Sequence, residues 1–188
     1  MRITGGQLKG RPLISAKGSA IRPASDKVRQ ALFNIIGPDL TGSAVLDLFA
    51  GTGAYGFEAI SRGAKNAIFV DKSSEALLIL KKNISQLGVA EQCQVKQQDL
   101  VAGESLKITE TDGYFDIVFI DPPYKLGFVV PVLKKVGYSD LLSLGGVVVA
   151  ETSKEECLPE KSGNLELWQL RRYGSTCLWF YLKKESVK

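Results

Sequence analysis

Histidine is missing altogether from this 188-residue chain. Its absence removes Ser-His and Cys-His nucleophilic schemes, and with them histidine metal sites. Cysteine is scarce: Cys93, Cys157 and Cys177 lie too far apart for a CxxC redox or zinc pattern, and an odd count does not suit a disulfide framework. That usage fits a reducing compartment. No apolar run approaches the roughly 20 residues of a membrane span, and the amino terminus carries no signal-peptide core. A cytoplasmic protein without a metal is expected. Internal repeats and low-complexity segments are also lacking, and with no histidine any chemistry must run on carboxylates, backbone groups or a cofactor.

What is present suffices for one sizeable core: 45% of residues are hydrophobic and 23% charged. The net charge of +4 is unevenly placed. Residues 1–38 hold Arg2, Lys9, Arg11, Lys17, Arg22, Lys27 and Arg29 against the single acid Asp26, a local charge of +6, which leaves −2 for the remainder. Such asymmetry is an electrostatic footprint for a polyanion, nucleic acid above all, although a solvated basic tail has the same composition. The expected organisation is a basic extension over residues 1–38 and a catalytic domain over 39–188.

Glycines 5, 6, 10 and 18 with Pro12 and Pro23 read as a small hairpin and a loop. Ser25 or Asp26 can cap a helix through Val28, Ala31, Leu32, Ile35 and Ile36 that stops at Gly37-Pro38. From residue 44 strands and helices alternate: strands at 44–49, 67–71, 94–99, 115–121 and 146–151, helices at 53–62, 74–87 and near 128–136, with a helix or loop around 100–110. Regular alternation of this kind predicts an α/β fold of Rossmann type, a mostly parallel sheet with helices on both faces. Residues 165–170 and 176–182 flank a turn at Tyr173-Gly174-Ser175 and predict a closing antiparallel hairpin, in which Trp168, Trp179 and Tyr181 are core or sheet-face residues.

Two stretches carry chemistry. Gly51-Thr52-Gly53-Ala54-Tyr55-Gly56 places a GxGxxG at a strand-to-helix turn, and Asp71 ends the next strand 20 residues after Gly51, as a carboxylate for ribose hydroxyls should. Asp47, just before the loop, would repel a pyrophosphate but can accept from an amino-acid ammonium, which favours S-adenosylmethionine over a dinucleotide. Asp99 is placed for an adenine amine. The plainer readings are a turn acid at Asp47 and a helix cap at Asp99. The second stretch is Phe115 to Tyr124. A continuous apolar strand ends in Asp121-Pro122-Pro123-Tyr124, a rigid elbow offering acceptors beside a ring, at the strand end where open α/β sheets bind ligands. Acceptors and a stacking face suit a planar group bearing an amine.

These residues resemble a known group. Asp121-Pro122-Pro123-Tyr124 with Asp47-x-Phe49-x-Gly51-x-Gly53 is similar to the amino-methyltransferases acting on nucleobase exocyclic amines. Arg2-Ile3-x-Gly5-Gly6, Lys9-Gly10-Arg11, Arg22-Pro23-x-Ser25-Asp26-Lys27-Val28-Arg29 and Ala31-Leu32-Phe33-Asn34 resemble the amino-terminal pattern of the RsmD-type 16S rRNA guanine-N2 methyltransferases. The resemblance implies methyl transfer from S-adenosylmethionine to a guanine N2 of 16S ribosomal RNA in an assembling 30S particle, by a protein expected to be a monomer. By match to the motifs, Asp47, Phe49, Gly51 and Gly53 belong to the cofactor loop, Asp71 to the ribose, Asp99 to the adenine, and Asp121, Pro122, Pro123 and Tyr124 to the catalytic elbow. The family more often has Glu at the ribose position, and Ser73 stands where a second polar or acidic residue is common. The basic extension would meet RNA phosphates, with Arg11, Arg22, Lys27 and Arg29 as the candidates. Competing readings are a DNA adenine-N6 or cytosine-N4 methyltransferase, which shares the tetrad, an NAD-linked dehydrogenase, and a non-catalytic RNA-binding module.

Overall fold

The computed structural model describes residues 1–15, 26–108 and 114–184. The chain divides into two compact units, Met1–Asp99 and Leu100–Lys188.

In the first unit, α1 (Asp26–Ile36) precedes an alternation of β1 (Ala44–Leu48), α2 (Ala54–Ser61), β2 (Asn66–Asp71), α3 (Ser74–Leu87) and β3 (Cys93–Gln97). β2 pairs in parallel with β1 on one side and β3 on the other, in registers that set Leu46 beside Ile68 and Phe69 beside Val95. Every residue of β1 is buried, as expected of a parallel strand covered on both faces. α2 is buried over Tyr55–Ser61, so it is a core helix rather than an amphipathic surface one. Its Phe57 ring lies 4.6 Å from that of Phe69 on β2. α3 starts at Ser73, whose hydroxyl accepts from the Ala76 N–H at 3.3 Å, and ends at Gly88 with φ 73°, a left-handed cap that glycine adopts without steric cost.

The amino-terminal stretch folds back through one antiparallel bridge, Arg2 to Pro12, and packs on α2 and α3. The Thr4 N–H and hydroxyl both donate to Glu58 at 2.8 Å, and the Ser61 hydroxyl donates to the Gly5 carbonyl at 2.6 Å. Glu58 is a hub: buried itself, it also receives the Arg29 guanidinium at 3.3 Å and that of Arg62 at 2.9 Å. Arg62 lies over the Phe33 ring, 4.8 Å from its centroid. Helix α1 is thereby locked to α2 by charge as well as by its apolar face.

The second unit carries β4 (Phe115–Ile120), α4 (Val129–Gly137), β5 (Leu142–Ser153), β6 (Lys161–Ser162), β7 (Leu165–Tyr173) and β8 (Thr176–Lys183). β4 and β5 are parallel; β5 to β8, β8 to β7 and β7 to β6 are antiparallel. The architecture is therefore a mixed α/β one, mostly parallel in its alternating part and closed by a carboxyl-terminal antiparallel hairpin. β5 begins four residues earlier than the apolar run suggests, because Leu142 still pairs with Phe115 before a register shift. The connection after Asp99 is irregular rather than helical over its described part, and the Lys135 ammonium of α4 holds it by donating to the Leu100 carbonyl at 2.7 Å and to Val101 and Ala102 at 3.2 Å. Trp179 and Tyr181 are core residues, whereas Trp168 is the extra residue of a bulge in β7 and is 49% exposed. No helix among the described residues is long and apolar enough to cross a membrane.

Candidate functional site

In the first unit the chain leaves β1 through a turn that only particular residues can make. Phe49 takes φ 60°, unusual for a side chain with a Cβ, and Gly51 and Gly53 follow at 53° and 80°. The glycine at 53 is required twice: a Cβ there would also lie 2.5 Å from the Phe57 ring and 2.8 Å from Leu80. Gly56 lets α2 approach β2, since a Cβ on it would meet the Phe69 ring at 2.3 Å. The loop is tied down by Ala50 N–H to the Val70 carbonyl at 3.0 Å and by Asn83, whose amide donates to the Thr52 carbonyl at 3.1 Å. Asn83 is buried and also bonds both backbone groups of Ile14, so one side chain couples the glycine loop to the amino-terminal stretch. Nothing in the sequence marks Asn83, because its role comes from partners 31 and 69 residues away.

Two carboxylates, Asp71 and Asp47, bond to this turn and the helix after it, and a third, Asp99, follows β3. Asp71, half-buried at the end of β2, accepts from the Gly51 N–H and the Ser73 N–H, each at 2.9 Å. It shapes the loop as well as presenting acceptors, and each carboxylate oxygen retains a further lone pair for a hydroxyl. Ser73 is occupied as the α3 cap. Asp47 is buried and accepts from the Gly56 N–H at 2.9 Å. Burial pushes its carboxyl up to about 8, only partly opposed by that hydrogen bond, with the Asp71 charge adding to the rise. Asp99 is exposed two residues beyond β3, with the Lys72 ammonium 3.8 Å away.

The donor set suits a nucleoside carrying an amino acid. Acceptors for hydroxyls and amines are laid along the ends of successive strands, and a buried carboxylate can be matched by an ammonium but not by a phosphate. Because Asp47 binds a proton more tightly folded than unfolded, wild-type stability should fall as pH rises from about 4 to about 8. The Asp47→Asn variant loses that slope. In thermal unfolding at pH 8 it should be more stable than wild type, on the order of a few kcal/mol, yet bind the cofactor more weakly. Gly53→Ala, strained in both φ and space, should cost about 1–3 kcal/mol of stability and weaken cofactor binding by roughly tenfold or more, measurable by calorimetry.

In the second unit β4 delivers the elbow. Asp121 is half-buried, Pro122 buried, Pro123 exposed and Tyr124 half-buried. The Tyr124 hydroxyl donates to Glu151 and meets the Thr176 hydroxyl at 3.1 Å. Burial and the nearby Glu151 and Asp121 carboxylates push its phenol well above the ordinary range, so Tyr124 is a fixed neutral ring, not a base. Lys125 then turns at φ 64°, held by its N–H to Glu156 at 3.2 Å. Glu151 and Thr176 are contributors the motifs do not reveal. The available signal for Glu151 is its place as an acid ending the apolar run Val147–Ala150.

Of the three cysteines, burial pushes the Cys93 thiol up to about 12, Cys177 is buried and Cys157 is exposed. Among the basic candidates, Lys27 is exposed and Arg11 is exposed with its guanidinium on the Gln86 carbonyl at 2.6 Å. Arg22 lies outside the described residues. Arg29 corrects the expectation of a phosphate contact: it is 0% exposed and spent on Glu58, on Asp26 at 3.0 Å and on the Arg2 carbonyl. A guanidinium so enclosed cannot reach a phosphate, and its role is to pin the amino terminus.

A glycine turn with strand-end acceptors in the first unit, and parallel strands closed by an antiparallel hairpin in the second, are features of the class I methyltransferase fold. A solved Escherichia coli protein named "Putative methyltransferase yhhF" superposes with TM-score 0.82 at 29% identity, over 98% of each chain. An RNA methyltransferase from Salinibacter ruber in complex with S-adenosyl-L-homocysteine has the same fold at 18% identity and TM-score 0.62, over 86% of this chain and 94% of that one. The chain belongs to the family described as Conserved hypothetical protein 95, whose model matches residues 1–182; this is the RsmD-type family to which the motifs point. Among curated relatives, "Putative rRNA methyltransferase YlbH" of Bacillus subtilis (strain 168) is 37% identical over 98% of this chain and 100% of its own length. Ribosomal RNA small subunit methyltransferase D of Escherichia coli (strain K12) is 32% identical over 92% of this chain and 83% of its own.

Proposed function

We propose that this chain is a cytoplasmic, monomeric methyltransferase that modifies the exocyclic N2 amine of a guanine in 16S ribosomal RNA, within an assembling 30S particle. Methylation of ribosomal RNA is the activity its named relatives support. The observation that carries transfer to an exocyclic amine is the elbow, Asp121 and the Pro122 carbonyl at the end of β4 beside a Tyr124 ring fixed by Glu151 and Thr176, while the choice of guanine N2 in 16S RNA rests on the family likeness.

S-adenosylmethionine is the methyl donor, and when bound it supplies an electrophilic methyl group on a positively charged sulfur. Asp47, Phe49, Gly51, Gly53, Asp71 and Asp99 hold it, with Asp47 facing the ammonium, Asp71 the ribose hydroxyls and Asp99 the adenine amine. The elbow handles the other reactant. A guanine amine is a poor nucleophile because its lone pair is delocalised into the ring. Accepting hydrogen bonds from its two N–H groups at Asp121 and the Pro122 carbonyl favours a pyramidal nitrogen with that pair released, and the proton this nitrogen sheds once methylated leaves to the Asp121 carboxylate or to water. Fixed acceptors do this without reorganising, and alignment supplies most of what the reaction needs. Tyr124 stacks on a base extruded from its neighbours. Residues 1–38 form the RNA-contacting extension through Arg11, Arg22 and Lys27.

The test is nucleoside mapping by mass spectrometry of ribosomal RNA from cells with and without the gene. A single N2-methylguanosine in 16S RNA should vanish on deletion and return with the wild-type gene. Unchanged ribosomal nucleosides, with a loss of N6-methyladenine or N4-methylcytosine from DNA instead, would reverse the choice of substrate.

A further inference from the structure

A second basic and aromatic surface lies on the terminal hairpin, far in sequence from the amino-terminal extension. The register sets Glu151 of β5 beside Leu178 of β8, and Leu178 beside Arg171 of β7; two positions on, Ser153, Thr176 and Tyr173 align in the same way. Residues so paired share a sheet face. Arg171 and Tyr173 therefore stand on the face that carries Glu151 and Thr176, the two groups that hold Tyr124. Two strand spacings, about 10 Å, separate Glu151 from Arg171. On the same face Trp168, bulged out of β7, packs edge-on against the buried Phe180 ring at 6.3 Å while half of its surface stays exposed.

Along β7 from Leu167 to Tyr173 the charge is of one sign. Arg171 on this face, and Arg172 beside Cys177 on the opposite face of the same edge strand, are exposed, and neither has an ion-pair partner among the described residues. With the Gln169 amide turned so that its oxygen faces the guanidinium, it accepts from Arg171 Nε at 2.8 Å and from both Nη groups, and Nη1 also donates to the Leu170 carbonyl at 3.2 Å. Of the nearby acids, Glu166 is paired with Lys161 at 3.3 Å and Glu160 precedes β6, whereas Glu151 is buried on Tyr124, Glu156 accepts from the Ser153 hydroxyl at 3.1 Å and Glu155 is exposed just after β5. β6 covers β7 only at Leu165 and Glu166, so the outer edge from Leu167 to Tyr173 has no strand partner among the described residues. Arginines and a bulge are also what an edge strand uses to resist pairing with another chain. An exposed tryptophan works against that purpose, and it is the feature edge protection leaves unexplained.

We propose that this hairpin surface binds the single-stranded RNA flanking the target base, with Trp168 stacking on a neighbouring base and Arg171 and Arg172 contacting its phosphates. The proposal rests on the ribosomal RNA reading above, since it adds a substrate contact to that same elbow. Single-stranded RNA is the occupant whose chemistry needs both a cationic edge and a free aromatic ring.

The test uses the full-length chain, with Trp168→Leu to keep an apolar cover over Phe180 and a separate Arg171→Gln/Arg172→Gln variant on exposed positions. Affinity for protein-free 16S RNA, its salt dependence, cofactor affinity, and methyl-transfer KM and kcat on small-subunit particles are measured for each. Trp168→Leu should weaken RNA binding roughly five- to hundredfold. The double variant should lower the salt slope by about 1.4, as for two single-strand phosphate contacts. In both, KM for the particle should rise while cofactor affinity and kcat hold. Wild-type RNA affinity and salt slope in both variants would overturn the proposal while leaving the elbow's function standing, and new aggregation in that background would assign the arginines to edge protection. Weakening on the particle but not on protein-free RNA would give the surface to a ribosomal protein, overturning the RNA occupant. If the wild-type chain neither binds nor methylates ribosomal RNA, the functional reading and this surface fall together.

Discussion

Replacing Asp121 by alanine is expected to reduce kcat for methyl transfer by roughly 100- to 1000-fold, the scale seen when one preorganised group at a reacting centre is removed. Cofactor affinity should stay within about twofold, because every cofactor residue named above belongs to the first unit and Asp121 to the second. Single-turnover transfer measured beside calorimetric cofactor binding separates the two. The companion change Tyr124→Phe removes only the hydroxyl that reaches Glu151 and Thr176. It keeps the stacking ring but frees its orientation, so a smaller loss is expected. An Asp121→Ala variant with wild-type kcat would mean that the elbow is a structural turn, and the chemistry would have to be sought elsewhere.

The second large effect concerns stability. Glu58→Ala leaves the enclosed Arg62 facing no carboxylate among the described residues and Arg29 with only the part-exposed Asp26, and strips Thr4 of both its acceptors. Removing one member of a buried charge cluster typically costs about 3–5 kcal/mol, because the remaining charge stays desolvated. For a chain of this size that lowers Tm by roughly 6–20 °C. Glu58→Gln keeps hydrogen-bond acceptance without the charge and should fall between the two. Replacing the whole cluster by apolar residues of similar volume should cost far less than Glu58→Ala. A Glu58→Ala variant melting within about 2 °C of wild type would show that the network is wet and slack rather than the clasp between α1, α2 and the amino terminus.

Local features of this chain are legible in its residues alone. The glycine turn, the strand that precedes it and the Asp-Pro-Pro-Tyr elbow depend on residues adjacent in sequence, whose backbone preferences act within a few positions. The features that escape such reading are those set by register and by burial. Arg29 sits in a run of basic residues, and in one dimension nothing distinguishes a solvated arginine from one closed over by Glu58, a partner on another helix. Asp71 reads as a ribose ligand from its spacing, yet it also braces Gly51, a bond that exists only once β1 and β2 pair. Glu151 is joined to Tyr124 across 27 positions, and the bulge that ejects Trp168 from β7 arises from pairing with β8.

These cases share one physical cause. Periodicity reports which face of an element is apolar, but not which element will lie against it. A charged residue whose partner comes from another element is therefore assigned to solvent by default. The hairpin shows the same: Trp168, Trp179 and Tyr181 all read as core or sheet-face residues, and only the pairing of β7 with β8 separates the exposed Trp168 from the two buried ones.

The most direct measurement of the central claim is transfer of labelled methyl groups from S-adenosylmethionine by the purified wild-type chain to small-subunit particles that lack this modification, followed by digestion to nucleosides. The label is predicted to appear in N2-methylguanosine of 16S RNA, and to be lost with Asp121→Ala. Label in N6-methyladenosine, label in the RNA with Asp121→Ala as active as wild type, or no transfer by a protein that binds the cofactor would contradict it.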